Sequence, residues 1–184
     1  MTGRIHATLV AVLLAGGVIA SAQAPASAHV VLREPTATSG AYYVATFRLP
    51  HGCGASPTVA ITVTLPDGIV SAKPRPVPGW RIDIARAPLA TPVRTEGGGM
   101  LTERPTQITW TGGPLPDEWF EEFSISLKLP AEVGKLYFPV VQRCEVGELR
   151  WIEIPAEGKS TRDLRHPAPA LTLTPPPPAH ERAH

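Results

Sequence analysis

The chain has 184 residues, 43% of them hydrophobic and 18% charged, and its formal net charge is +1. These proportions suit a folded domain, and the near-neutral balance argues against a nucleic-acid or anionic-membrane partner. The 22 prolines are spread along the chain as well as clustered at its end, which favours short strands joined by turns over long helices.

Residues 1–28 read as a secretory signal peptide. Arg4 supplies a basic start, residues 7–20 form an uncharged apolar run too short to span a bilayer, and Ala26-Ser27-Ala28 is an A-x-A cleavage site. A cut after Ala22 is an alternative that would leave His29 inside the chain; a cut after Ala24 would leave Pro25 first, which signal peptidases handle poorly. Cleavage at Ala28/His29 makes His29 the first residue of a mature, extracytoplasmic protein, periplasmic or secreted. No later stretch is apolar enough for a membrane span.

From His29 onward the hydrophobic period is two. Tyr43, Ala45 and Phe47 alternate with Val44, Thr46 and Arg48. Val59, Ile61, Val63 and Leu65 alternate with Ala60, Thr62 and Thr64. The same pattern recurs over residues 80–85 and 123–129, with further strands expected at 107–110, 136–141 and 149–154. Turn chemistry separates them: Pro66-Asp67-Gly68, Pro78-Gly79, Gly97-Gly98-Gly99, Gly112-Gly113-Pro114 and Val146-Gly147-Glu148. Residues 117–122 hold one helical turn at most. Eight to ten short strands predict an all-β fold: an antiparallel β-sandwich of immunoglobulin-like or cupredoxin-like type, with a closed barrel as runner-up. The domain spans 29–174 and ends in an expected edge strand, Leu171-Thr172-Leu173-Thr174. Residues 175–184 read as a proline-rich disordered tail, in which His180 and His184 are solvated histidines.

Outside the cytoplasm a lone cysteine pair forms a disulfide. Cys53 and Cys144 lie 91 positions apart, so this bridge would close a long loop; a pair of thiolate metal ligands is the alternative.

His29 is the candidate with the most specific chemistry. As a first residue it offers an α-amine and Nδ1, which close a six-membered chelate ring on one metal. The amine titrates near about 7.7–8.0, low enough for copper(II) to displace its proton at neutral pH. A nitrogen donor set favours copper(II), whereas copper(I) prefers soft sulfur. His51, in Leu49-Pro50-His51-Gly52-Cys53, is the expected third nitrogen, its backbone steadied by the neighbouring bridge. Glu34 and Glu145 are candidates for a further position. Trp80 and Trp110 fall in strand patterns and are expected in the core. Trp151 is expected near the His51 end, where an indole would shield a metal from water. Glu121-Glu122 reads as a solvent-facing charge pair. There is no G-x-S-x-G, phosphate loop, H-E-x-x-H or C-x-x-C, so the expectation is a binding protein and not an enzyme.

One ordered series runs through the chain. It begins His29-Val30-Val31-Leu32, Gly40, Arg48-Leu49-Pro50-His51-Gly52-Cys53-Gly54-Ala55-Ser56-Pro57-Thr58, Pro66-Asp67-Gly68-Ile69 and Pro78-Gly79-Trp80. It continues Ile108-Thr109-Trp110, Leu115-Pro116, Glu122-Phe123, Lys128-Leu129-Pro130, Phe138-Pro139-Val140-Val141-Gln142, Cys144-Glu145-Val146-Gly147 and Trp151. The series resembles the YcnI-like family of exported bacterial proteins. The resemblance implies a β-sandwich that binds copper(II) through its mature N-terminal histidine, by amine and imidazole, with an acidic ligand and a nearby tryptophan. It assigns those roles to His29 and Trp151. His51-Gly52-Cys53 stands where the acidic ligand would fall, so His51 is expected to replace it. The implied role is a copper chaperone or buffer that serves a copper importer or another periplasmic copper protein. The alternatives are a copper-dependent polysaccharide monooxygenase, which would need a broad aromatic or polar substrate face, and a metal-free exported binding module.

Overall fold

A computed structural model describes residues 29–95 and 97–178. The expected signal peptide, its cleavage site up to Ala28, and His180 and His184 lie outside the described residues.

The described residues form twelve strands, the longer core ones marked by alternating apolar residues: β1 (Val31–Leu32), β2 (Thr36–Thr38), β3 (Tyr42–Leu49), β4 (Thr58–Thr64), β5 (Ala72–Pro74), β6 (Trp80–Arg94), β7 (Met100–Leu115), β8 (Glu121–Lys128), β9 (Gly134–Tyr137), β10 (Val140–Cys144), β11 (Glu148–Trp151) and β12 (Ala170–Thr174). One sheet has the order β1-β3-β8-β5 and a second the order β11-β10-β4-β7-β6; a small third sheet is β2-β12-β9. All pairings are antiparallel except β2 with β12. No helix among the described residues is long and apolar enough to cross a membrane.

The period-two faces meet between the two larger sheets. Phe47, Phe123 and Ile125 from one sheet, and Ile61, Val63, Ile108, Trp110 and Val140 from the other, are essentially inaccessible and belong to one core. Trp110 lies 5.3 Å from Phe123 between ring centroids, an aromatic contact between strands of different sheets, and each such pair adds about 0.5–1.5 kcal/mol beyond area burial. Leu171 and Leu173 of β12 join the same core and close one flank. The fold is therefore the expected antiparallel β-sandwich, and Cys53 and Cys144 form the expected disulfide, with Cα atoms 6.1 Å apart.

Several local expectations are corrected. The run 136–141 is two strands in different sheets. Pro139 has no N–H to donate, and its carbonyl accepts from Thr64, while the preceding Phe138 N–H turns to Pro169. The strands expected at 80–85 and 107–110 are parts of a long ribbon, β6 and β7, of 15 and 16 residues. Much of its outer half faces solvent, so no alternation marks it. Gly112-Gly113-Pro114 is not a turn between strands: β7 runs through it with a cis Gly113–Pro114 bond. Consistent with the limit of one helical turn at most, residues 117–122 form none: Trp119 N–H closes a turn on Pro116 O, and Glu121 opens β8. Trp80 is half-buried, edge-on to Phe123 at 5.0 Å. Glu122 is not simply solvated, because Arg48 and Arg33 pair with it at 3.0 and 3.5 Å. The strand at 171–174 is the centre of its small sheet, not an edge.

Candidate metal centre

His29 stands two residues before β1. Its neighbour Val30 is 2% exposed, and this buried side chain anchors the start of the domain. The imidazole meets the Trp151 ring edge-on, with centroids 5.3 Å apart and an interplanar angle of 83°. His29 Nε2 lies 3.3 Å from the carbonyl oxygen of Arg165. A carbonyl only accepts, so this bond places the ring proton on Nε2 and leaves the lone pair on Nδ1. Nδ1 is the nitrogen that closes a chelate with the residue's own amine. The donor chemistry therefore fits copper(II) once that amine is free.

Trp151 ends β11 and is 3% exposed. Its indole N–H donates to Gln142 Oε1 at 3.3 Å. Gln142 is 1% exposed, and its amide donates to the His51 carbonyl at 2.8 Å and to Thr58 Oγ1 at 2.9 Å. Thr58 Oγ1 is in turn 3.7 Å from Cys144 Sγ. A buried polar chain thus runs from the indole beside His29 to the disulfide. Its members satisfy one another, as a network in low dielectric requires.

The sequence candidates divide. His29 and Trp151 are together. His51 reaches Trp151 only through its carbonyl and Gln142; its imidazole donates from Nδ1 to Gly52 O and faces Asp117 Oδ1 at 3.9 Å. Asp117 Oδ1 is buried with no hydrogen-bond partner, so the carboxylate is the electrostatic neighbour of that ring. Glu34 lies beside Tyr43, whose hydroxyl donates to the Glu34 carbonyl. Burial and the Glu34 charge together push the phenol up to about 12. Glu145 is exposed, its N–H bound to Pro57 O next to the disulfide. Among the described residues, no group of three or more His, Cys, Asp or Glu side chains is placed to hold a metal ion.

Sequence reasoning missed His166. Its ring meets the same Trp151 indole, with centroids 5.1 Å apart and an interplanar angle of 72°. The signal was weak: one histidine before Pro167-Ala168-Pro169, in a stretch without periodicity. A shallow cavity of about 300 Å³ opens beside this group, lined by His29, Val30, Arg162, Pro167 and Ala168 among others.

The family model for a domain of unknown function, DUF1775, matches residues 29–173, and the chain belongs to that family. Among solved structures the chain is similar to an uncharacterized protein from Nocardia farcinica with an immunoglobulin-like fold. The two are 32% identical with a TM-score of 0.59, over 79% of this chain and 97% of that one. No curated protein matches.

Proposed function

We propose that this DUF1775 chain is an exported copper(II)-binding protein of the YcnI-like type, a chaperone or buffer and not an enzyme. The observation that carries the reading is the orientation of His29. The Arg165 carbonyl takes the Nε2 proton, so Nδ1 is the lone-pair nitrogen on the side chain that cleavage would pair with a new α-amine. The Trp151 ring, buried and bonded to Gln142, packs against the imidazole, where it limits rotation and excludes water from one side. The family match also begins at His29, where the cleaved chain would begin.

Copper(II) is here a cargo. A chain-terminal chelate with few protein ligands leaves coordination positions open, and a recipient's ligands can enter before the donor's leave. The cavity beside His29 gives such ligands a path. The recipient would be a copper importer or another copper apoprotein of the same compartment. The sequence also nominated His51, Glu34 and Glu145 as further ligands, and single substitutions at each belong in the same titration.

The test compares two forms of the chain, one beginning at His29 and one carrying a single extra residue before it. Mass spectrometry of the exported protein identifies the natural start. The His29 form is expected to bind one copper(II) with an amine-plus-imidazole spectrum; the extended form, whose amine is an amide, is expected to lose at least about 1.4 kcal/mol, or tenfold in affinity. Equal affinity of the two forms, or an exported chain that starts elsewhere, would sink the proposal.

A further inference from the structure

We infer that His166 supplies the second imidazole of the His29 site. The inference rests on the copper(II) reading and adds the ligand that completes it. His29 and His166 are 137 positions apart in sequence, yet their rings share one indole, at 5.3 and 5.1 Å from Trp151. Among the described residues they are the two imidazoles in ring contact with it. The link between them is also direct in the backbone: the carbonyl that binds His29 Nε2 belongs to Arg165, the residue before His166.

The segment bearing His166 is held more firmly than a connecting loop requires. The His166 N–H donates to the Glu153 carboxylate, and its carbonyl accepts from Glu153 N–H at 3.0 Å. Ala168 N–H returns to Glu153 O at 2.9 Å, and Glu153 and Pro167 form a parallel bridge. Glu153 is two residues beyond Trp151, so one short stretch positions the indole and clamps the histidine on it. Such clamping lowers the entropic cost of presenting a ligand.

The ring itself is half-buried and lies at the chain terminus that would supply the amine. Amine, Nδ1 of His29 and one nitrogen of His166 would give three nitrogen donors, the set copper(II) prefers. His51 offers the same donor type, but its ring is turned to Gly52 O and Asp117, on the far side of Gln142 from Trp151. An acidic ligand is unnecessary if a second imidazole is already present.

Pulsed electron paramagnetic resonance on the chain beginning at His29, loaded with one equivalent of copper(II), counts the bound imidazoles through their remote nitrogens. The wild type is expected to show two. His166→Ala and the bulkier His166→Gln are expected to show one and to lose affinity at least about tenfold, since even a partner outside the coordination shell is worth 10–100-fold. His51→Ala is expected to keep both imidazoles. Thermal unfolding of each apo variant separates loss of a ligand from loss of the fold, and the wild-type imidazole count needs no variant. A wild-type chain that binds copper(II) through one imidazole overturns the His166 assignment alone. So does a second imidazole that survives both His166 substitutions. A wild-type chain that binds no copper(II) overturns the functional reading and the assignment with it.

Discussion

The indole N–H of Trp151 donates to Oε1 of Gln142 at 3.3 Å, and both side chains are almost fully buried. This one bond couples the ring that packs against His29 to the strand that ends at the disulfide. Both amide hydrogens of Gln142 are used, on His51 O and Thr58 Oγ1, while its oxygen accepts from Trp151.

Gln142→Leu is therefore expected to be costly. The substitution keeps an apolar body of similar size but leaves the Trp151 N–H and the His51 carbonyl without a partner. A buried unsatisfied group costs about 1–3 kcal/mol. Urea unfolding should show a loss in that range or somewhat above it, and the tryptophan emission should shift as the indole relaxes.

Replacing both Cys53 and Cys144 by Ser opens a loop of 91 residues. The chain-entropy model assigns on the order of 4–5 kcal/mol to closing a loop of that length, and measured losses run about 2–5 kcal/mol. Denaturant midpoints of the oxidised wild type and the double variant give the number. A difference below 1 kcal/mol would mean that the unfolded chain is already compact around this pair.

Gly52 has no room for a side chain. A Cβ there would sit 2.3 Å from the Ser56 carbonyl oxygen, which already accepts the Cys53 N–H at 2.9 Å. Gly52→Ala must push this turn open between His51 and the disulfide. Overpacking of this kind costs about 1–3 kcal/mol, to be read from thermal or urea unfolding. A neutral outcome would show that the turn yields freely.

Tyr43 makes stability fall at high pH. Its phenol titrates at about 12 in the fold instead of 10.0, through burial first and the Glu34 charge second. Between those values the unfolded chain has released the proton and the folded chain retains it. Tyr43 therefore contributes fully below pH 10.0, and its contribution declines as pH rises towards 12. Tyr43→Phe should flatten the decline in unfolding free energy between pH 10.0 and 12. An unchanged slope would assign the decline to other groups.

Much of this protein was legible in one dimension. Period-two alternation in β3, β4 and β8 marks strands with one buried face, since a strand exposes alternate residues to opposite sides. Two cysteines in a chain read as exported led to the expectation of the bridge that the fold contains, and the sequence before His29, read as a cleavage site, singled that residue out. The outer ribbon of β6 and β7 was invisible because both of its faces meet water, so burial imposes no pattern. The split at Pro139 was hidden because the apolar run on either side is continuous; only the missing N–H and the two different sheets it feeds divide it. His166 was invisible for another reason. Nothing in His166-Pro167-Ala168-Pro169 has a period, and its proximity to His29 exists only because the carbonyl of Arg165 and the edge of Trp151 are folded onto the start of the domain. Local sequence determined most of the half-buried strands and the start of the domain near His29. Which side chains share the Trp151 ring was decided by tertiary packing, because contacts across 137 positions depend on sheet order and loop path, and neither is written in any short stretch of chain.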